Sequence, residues 1–256
     1  IAPGGRRFEG QAVESQEIQV PLTTNVLGVY DVDWTTVSLL DGHTLHGSFQ
    51  FGVRVAPPDS SEAEATTAPG PQGFVIAVGR LVEDTALLIA VGMLLLRRLA
   101  EVQPSLAWVN FSLRRALVVA FLGGVVVVLG EAFNAASTPS TSALVDYLAA
   151  GLPGAARLSR LIAEALTVVL SIAVPDLTVV PLVAALLGLA VAGHPAAVRP
   201  VWWGVATETV HLVTAGLWAG GILALATLWP PGGWRGSSAR CLLDRFTPVA
   251  VPAFLA

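Results

Sequence analysis

The chain is poor in charge and in the residues that build sulfur-based sites. Its 256 residues include one cysteine, one methionine and no lysine, and 12% are charged, against about 25% in ordinary soluble domains. One cysteine excludes an internal disulfide and cannot form a thiolate cluster alone. The single Met93 excludes a methionine-rich site for a soft metal ion. The shortage of charge points to a chain that lies partly in a membrane.

The few charges are unevenly distributed along the chain. Residues 1–70 hold nine acidic and three basic side chains and alternate in the manner of a water-exposed β domain. From Gly73 onward the chain has apolar runs near the length that crosses about 30 Å of hydrocarbon. We therefore predict a head domain at 1–55, a linker at 56–72 and a membrane domain at 73–256.

Two alternating segments in the head predict a pair of β-strands. Tyr30, Val32 and Trp34 alternate with more polar neighbours, and Phe49 begins a second run of the same period. The two runs are joined through DGHTLHG, residues 41–47. About 55 residues is short for a two-sheet sandwich, which needs about 100, so we expect the head to include residues before Ile1.

The membrane domain divides at proline, glycine and charge into five to six predicted helices. Five alternating spans place the arginines of loops 97–115 and 230–245 on one side, which the positive-inside rule makes cytoplasmic. The acidic head then lies outside, and we count Arg157, Arg160 and Arg199 as the few basic residues on that outer side. The helices are expected near 73–97, 115–135, 156–174, 177–194 and 201–229, with a sixth beginning near Phe246.

Ionisable residues within the predicted helices are candidates for function, because charge in a bilayer is costly. The first helix carries Arg80, Glu83 and Asp84. Arg80 and Asp84 are four residues apart and could form an ion pair on one helix face. The structural alternative to a functional role is an ion pair of this kind near the outer interface.

Two histidines and a glutamate form a candidate metal site at the outer end of the fourth and fifth helices. Glu208 and His211 share a helix face, and His194 lies at the end of the preceding antiparallel helix. Two imidazoles and a carboxylate suit copper or another borderline metal ion. Alternatively, each histidine donates a hydrogen bond to a backbone carbonyl between helices. Gly216, Gly220 and Gly221 are expected to let helices pack closely.

The segment between the strands offers a second candidate metal site. In an extended strand Asp41 and His43 point to the same face, about 7 Å apart along the chain. Gly42 between them lets the backbone bend toward a metal. His46 would face away in a regular strand and could join only if a turn intervenes. The structural alternative is a solvated edge with a capping aspartate.

The head resembles the second half of the CopC family, periplasmic copper-binding domains. That family has a Gly-x-Tyr-x-Val-x-Trp strand, a Ser-x-Asp-Gly-His turn and a Gly-x-Phe-x-Phe-x-Val strand. Leu39-Leu40 lengthens the turn by one residue. The resemblance implies a Greek-key β-sandwich and a copper(II) site with Asp41 and His43 as ligands. The matching residues are Gly28, Tyr30, Val32, Trp34, Ser38, Asp41, Gly42, His43, Gly47, Phe49, Phe51 and Val53.

The same resemblance leaves one ligand of the head open. The family uses an N-terminal histidine as a further ligand, and this chain begins with Ile1. That ligand therefore either lies outside these residues or is absent. His46 does not belong to the family pattern, although it could substitute.

The remainder resembles the CopD membrane family, which is often fused to a CopC head. The matching pieces are Arg80, Gly193-His194, the run from His211 through Trp218 to Gly221, and RFTPVA at 245–250. The resemblance supports a copper role for His194 and His211. It implies a multi-pass plasma-membrane protein with its head on the periplasmic or extracellular side.

We expect this chain to capture copper(II) outside and pass it through or along the membrane domain. The alternative is a non-transporting accessory subunit of a larger respiratory or oxidase complex. We find no nucleophile–base pair, no cofactor signature and no nucleotide-binding motif, so we predict neither catalysis nor nucleotide-driven transport. The expected partners are a copper ion, the lipid bilayer and membrane proteins, with no nucleic acid.

Overall fold

The structure, a computed structural model, describes residues 1–2, 20–21, 26–37, 44–55, 71–136, 139–193, 195 and 198–255. At residues 35, 37, 44–46 and 71 it describes the backbone alone. The chain divides into two compact units, one containing the strands and the other containing the helices.

The first unit contains the predicted pair of strands, β1 (Gly28–Val37) and β2 (Thr44–Val53), which are antiparallel. Tyr30 lies opposite Phe51, and their rings stack with centroids 5.2 Å apart. The buried Tyr30 hydroxyl donates a hydrogen bond to the Val26 carbonyl oxygen at 2.8 Å. The hairpin prediction is therefore confirmed. The remaining strands of the expected Greek-key sandwich would fall mostly on residues 3–19 and 22–25, outside the described part.

The second unit is mostly helical. Short 3₁₀ turns at Pro104–Leu106 and Pro175–Thr178 precede α2 and α5, and a π-helical turn at Gly216–Gly220 joins α6 to α7. Its α-helices are α1 (Pro71–Glu101), α2 (Leu113–Ala135), α3 (Thr141–Ala149), α4 (Gly151–Ala173), α5 (Val179–Ala192), α6 (Val201–Ala215), α7 (Gly221–Ala226) and α8 (Ser237–Leu255).

Five of these helical segments agree with the predicted ones, and two differences have clear causes. The last helix begins at Ser237 rather than near Phe246. Its first turns carry Arg240 and Asp244, which suggest a loop by their charge yet are compatible with helical backbone. The short α3 was not predicted, although Ser140 caps it by accepting a hydrogen bond from the Ala143 amide at 3.1 Å.

Glycines set the distance between α1 and its neighbours. A Cβ on Gly220 would overlap the Leu88 carbonyl oxygen, and one on Gly92 would overlap the backbone at Gly220. A Cβ on Gly216 would lie 2.7 Å from the Val91 side chain. The predicted packing role is confirmed for Gly216 and Gly220, which contact α1, whereas Gly92 of α1 was not predicted. A Cβ on the third predicted glycine, Gly221, would lie 2.4 Å from the Phe246 ring of α8.

The helical unit exposes apolar residues and buries charged ones. The exposed face of α4 includes Ile162 and Val169, whereas the same helix buries Arg160 and Glu164. This is the reverse of a helix that faces water. Three segments are long and apolar enough to cross a membrane, namely Leu113–Ala135, Pro175–Ala192 and Val201–Ala226.

Candidate functional site

The predicted head ligands lie at the connection between β1 and β2. Asp41 and His43 fall within residues 38–43, which lie outside the described part of the chain. His46 lies within β2, where its backbone is opposite Thr35. The structure therefore does not test Asp41 and His43 as ligands, and their copper role stays a prediction.

The predicted membrane ligands fall on one described helix and one undescribed residue. Glu208 and His211 both lie on α6, with Glu208 half-buried and His211 exposed. His194 is outside the described residues. Among the described residues, no three or more histidine, cysteine, aspartate or glutamate side chains gather as a metal-binding group. Within the same residues the His211 ring makes no hydrogen bond, so the carbonyl-bonded alternative is not seen there.

A network of charged and polar side chains, largely buried except for Arg80, connects α1, α2, α3 and α4. At its outer edge, Arg80 of α1 forms an ion pair with Glu131 of α2. Arg157 of α4 lies 3.5 Å from Glu131 through its Nε, and the Tyr147 hydroxyl donates to the same carboxylate at 2.7 Å. The Arg157 guanidinium also lies 4.4 Å from the centre of the Tyr147 ring. The Glu131 carboxylate thus pairs with two arginines and accepts a hydrogen bond from one hydroxyl.

This arrangement corrects the expected pairing within the first helix. Arg80 was predicted to pair with Asp84, but among the described residues its ion pair is with Glu131. The spacing of four residues permitted the local pair. The neighbouring helix instead places a less exposed carboxylate within reach, and ion pairs strengthen as water is excluded.

One turn further along α1, a second group of ions is more deeply buried. Arg160 Nε lies 3.2 Å from Glu83 Oε1 and 3.6 Å from Glu164 Oε1. Glu83 and Glu164 are each 0% exposed, and Arg160 is 5% exposed. We call these three residues the buried triad.

Glycines from two further helices make room for the buried triad. A Cβ on Gly124 of α2 would lie 2.5 Å from Glu164 Oε2 and 3.2 Å from Glu83 Oε1. A Cβ on Gly188 of α5 would lie 2.8 Å from the Arg160 Cβ. The triad is therefore enclosed by close-packed backbone, and a larger residue at either glycine would displace the ions.

Arg157 and Arg160 were counted among the basic residues on the outer side, at the start of the helix predicted at 156–174, and the structure instead buries both side chains within α4. A signal was present in the sequence. Arg157, Arg160 and Glu164 are spaced at i, i+3 and i+7, which places all three on one helix face. Glu131, the acidic partner of Arg157, carried no comparable local signal, because it lies near the end of the apolar α2.

These features define a class of protein: a membrane-type helical bundle with buried ions, joined in one chain to a β-strand pair. Residues 1–54 match the CopC domain family, which confirms the resemblance seen in the head. CopC is a periplasmic copper-binding domain, so the match points to copper binding or handling. No curated protein and no solved structure shows significant similarity to this chain.

Proposed function

We propose that the chain captures copper at an extracytoplasmic CopC head and transfers it to, or through, a CopD-like membrane domain. The observation that carries this proposal is the CopC match at residues 1–54 in the same chain as an apolar-surfaced helical bundle. Asp41 and His43 would bind copper(II) in the head. His194 and His211, with Glu208, would receive it at the membrane.

The helical packing supports five spans with α8 as a sixth. α1 and α4 carry too many charges to resemble membrane helices by composition, but they direct Glu83, Arg160 and Glu164 inward. Charged residues facing the bundle interior are tolerated in a membrane. Burial of Arg157 and Arg160 also removes them from the count of basic residues on the outer side, which increases the arginine bias that favours an outer head.

An accessory, non-transporting subunit is the second candidate. It is favoured by the exposure of His211 on α6 beside exposed Val210 and by the lack of a three-ligand group among the described residues. An exposed helix face of this kind could contact a membrane protein partner. The chain would then deliver copper to that partner or serve as a structural subunit of the complex. Neither candidate requires catalysis by this chain.

Metal analysis of the purified full chain tests copper capture. We expect about one copper(II) per head, and we expect His43→Ala to weaken copper binding by at least about 100-fold, because even indirect ligand supports contribute 10–100-fold. Asp41→Asn should weaken it as well. His46→Ala is the matched control and should bind like the wild type. If the wild type takes up no copper, or if the His46 variant alone loses it, this site assignment is wrong.

Copper uptake by cells separates a transporter from an accessory subunit. For a transporter we expect His211→Ala to abolish the uptake that depends on this chain, because an imidazole ligand is lost in the membrane path. Thr214→Ala, one turn away on α6, is the control and should retain uptake. If His211→Ala leaves uptake unchanged but removes the chain from a larger complex, the accessory role is correct.

A further inference from the structure

The buried triad has a charge imbalance at the middle of the bundle. It brings two carboxylates, Glu83 and Glu164, against one guanidinium, Arg160. Gly124, which packs on both carboxylates, is the central residue of the 23-residue α2. The triad is therefore about 16 Å from either end of that helix, at 1.5 Å per residue. If α2 spans the bilayer, the imbalance lies near mid-membrane.

Hydrogen bonding within the buried triad is incomplete. Both carboxyl oxygens of Glu83, both of Glu164, and Nε and Nη2 of Arg160 are buried without a hydrogen-bond partner among the described residues. The two carboxyl groups converge on one small space, because both have an oxygen within 3.6 Å of Arg160 Nε and within 3.2 Å of the Cβ position of Gly124. Two ionised carboxylates cannot form a hydrogen bond with each other there, because neither has a hydrogen to donate.

The surrounding ions do not supply the missing positive charge. Arg80 and Arg157 are both engaged by Glu131, and α5 contributes no charged side chain. Asp84, the next residue along α1, adds a further negative charge rather than a positive one. Four acids therefore face three arginines across α1, α2 and α4. These groups are Arg80, Glu83, Asp84, Glu131, Arg157, Arg160 and Glu164, with the Tyr147 phenol of α3 at the Glu131 end.

We propose that Glu83 and Glu164 form a proton-binding site in which the two carboxyl groups share one proton and Arg160 balances the remaining negative charge. One proton turns one carboxyl into a donor and the other into its acceptor. It also removes the second charge, which like-charge repulsion and burial both disfavour. The proposal concerns proton binding and does not depend on copper reaching the membrane domain.

A proton fits this site better than a metal ion does. Gly124 packs directly against the carboxyl groups, and a Cβ at this position would lie only 2.5 Å from Glu164 Oε2. The space beside the carboxyl groups is therefore small. A hydrated metal ion needs more space than that. The adjacent Arg160 guanidinium would also repel a second cation, and oxygen donors are poor ligands for copper(I).

Infrared spectroscopy of the full chain in lipid tests the proposal directly. We expect a C=O band of a protonated carboxyl group at neutral pH, where an ordinary glutamate is ionised because its pKa is about 4.3. We also expect that band to shift in D₂O. Glu164→Gln and Glu83→Gln should each abolish the band, because a single remaining carboxylate can pair with Arg160 in its ionised form. Glu101→Gln, at an exposed glutamate paired with Arg97 and Arg98, is the control and should keep it.

Three results would overturn the shared proton. One is the absence of such a band in the wild type at neutral pH, a result that does not depend on any variant folding. Another is retention of the full band in both glutamine variants, which would place the proton elsewhere. A third is a half-amplitude band in each variant, which would mean that both carboxyls carry their own proton. Because no step uses copper, failure of copper capture leaves this test unaffected.

Discussion

Replacing Arg160 by methionine is expected to destabilise the helical unit by about 3–5 kcal/mol, the usual cost of removing one partner from a buried ion pair. Arg160 is 5% exposed and lies between Glu83 and Glu164. Methionine fills a similar volume. The lost free energy of unfolding therefore measures the cost of leaving the carboxyl groups of Glu83 and Glu164 without a cation. The measurement is the free energy of unfolding in mixed micelles, or the midpoint of thermal unfolding.

Two comparisons separate charge from packing in this prediction. Arg97→Met removes an exposed arginine that pairs with Glu101 at 3.0 Å, and such surface pairs contribute at most about 1 kcal/mol. Combining Arg160→Met with Glu83→Gln should recover more than half of the lost stability, because it removes a negative charge together with the cation. An Arg160 variant as stable as the Arg97 variant would show that the buried charges are not coupled.

Gly220→Ala is expected to destabilise the protein by about 3 kcal/mol, at the upper end of the usual cost of overpacking. The added methyl group would overlap the Leu88 carbonyl oxygen on α1. Because the obstacle is backbone, α1 must move away, and its contacts with α7 must open. Thermal unfolding of the variant in detergent measures this cost.

Gly130→Ala is the comparison variant, at the crossing of α2 with α1. A Cβ there would lie 2.6 Å from Cγ1 of Ile76, so the obstacle is one side chain, which can shift without moving the α1 backbone. Alanine also favours the helix by about 1 kcal/mol over glycine. We therefore expect a change within about 1 kcal/mol for this variant. Equal losses at both glycines would contradict the idea that α1 and α7 are held by backbone contact.

Local sequence patterns carry much of the architecture of this chain. The alternation around Tyr30 and Phe49 predicted the antiparallel pair β1 and β2, because side chains of a strand point to opposite faces in turn. Long apolar runs predicted α2 within two residues of its observed bounds, Leu113–Ala135. The motif residues around Trp34 and Gly47 also sufficed to indicate a CopC head, which the match at residues 1–54 confirms.

The pairing of the buried charged residues could not be predicted from local sequence patterns. Arg157 and Arg160 were expected on the outer side, at the start of a predicted helix, because charge within a lone membrane helix is costly. Glu83 on α1 and Glu131 on α2 offset that cost by pairing with the two arginines. Both acids are far from the arginines in sequence, so no local pattern predicts these pairs. The helix face shared by Arg157, Arg160 and Glu164 was the one available signal.

By itself, then, the sequence determined the strand pair, most helices and the likeness of the head to CopC domains, since each depends on periodicity, length or a contiguous motif. The tertiary structure decided which ions meet. It turned Arg80 away from Asp84 toward Glu131, and it brought Glu83 and Glu164 together beside Arg160. The reason is physical: ion pairing inside a bundle depends on how closely helices approach, and here glycines such as Gly124 set that distance.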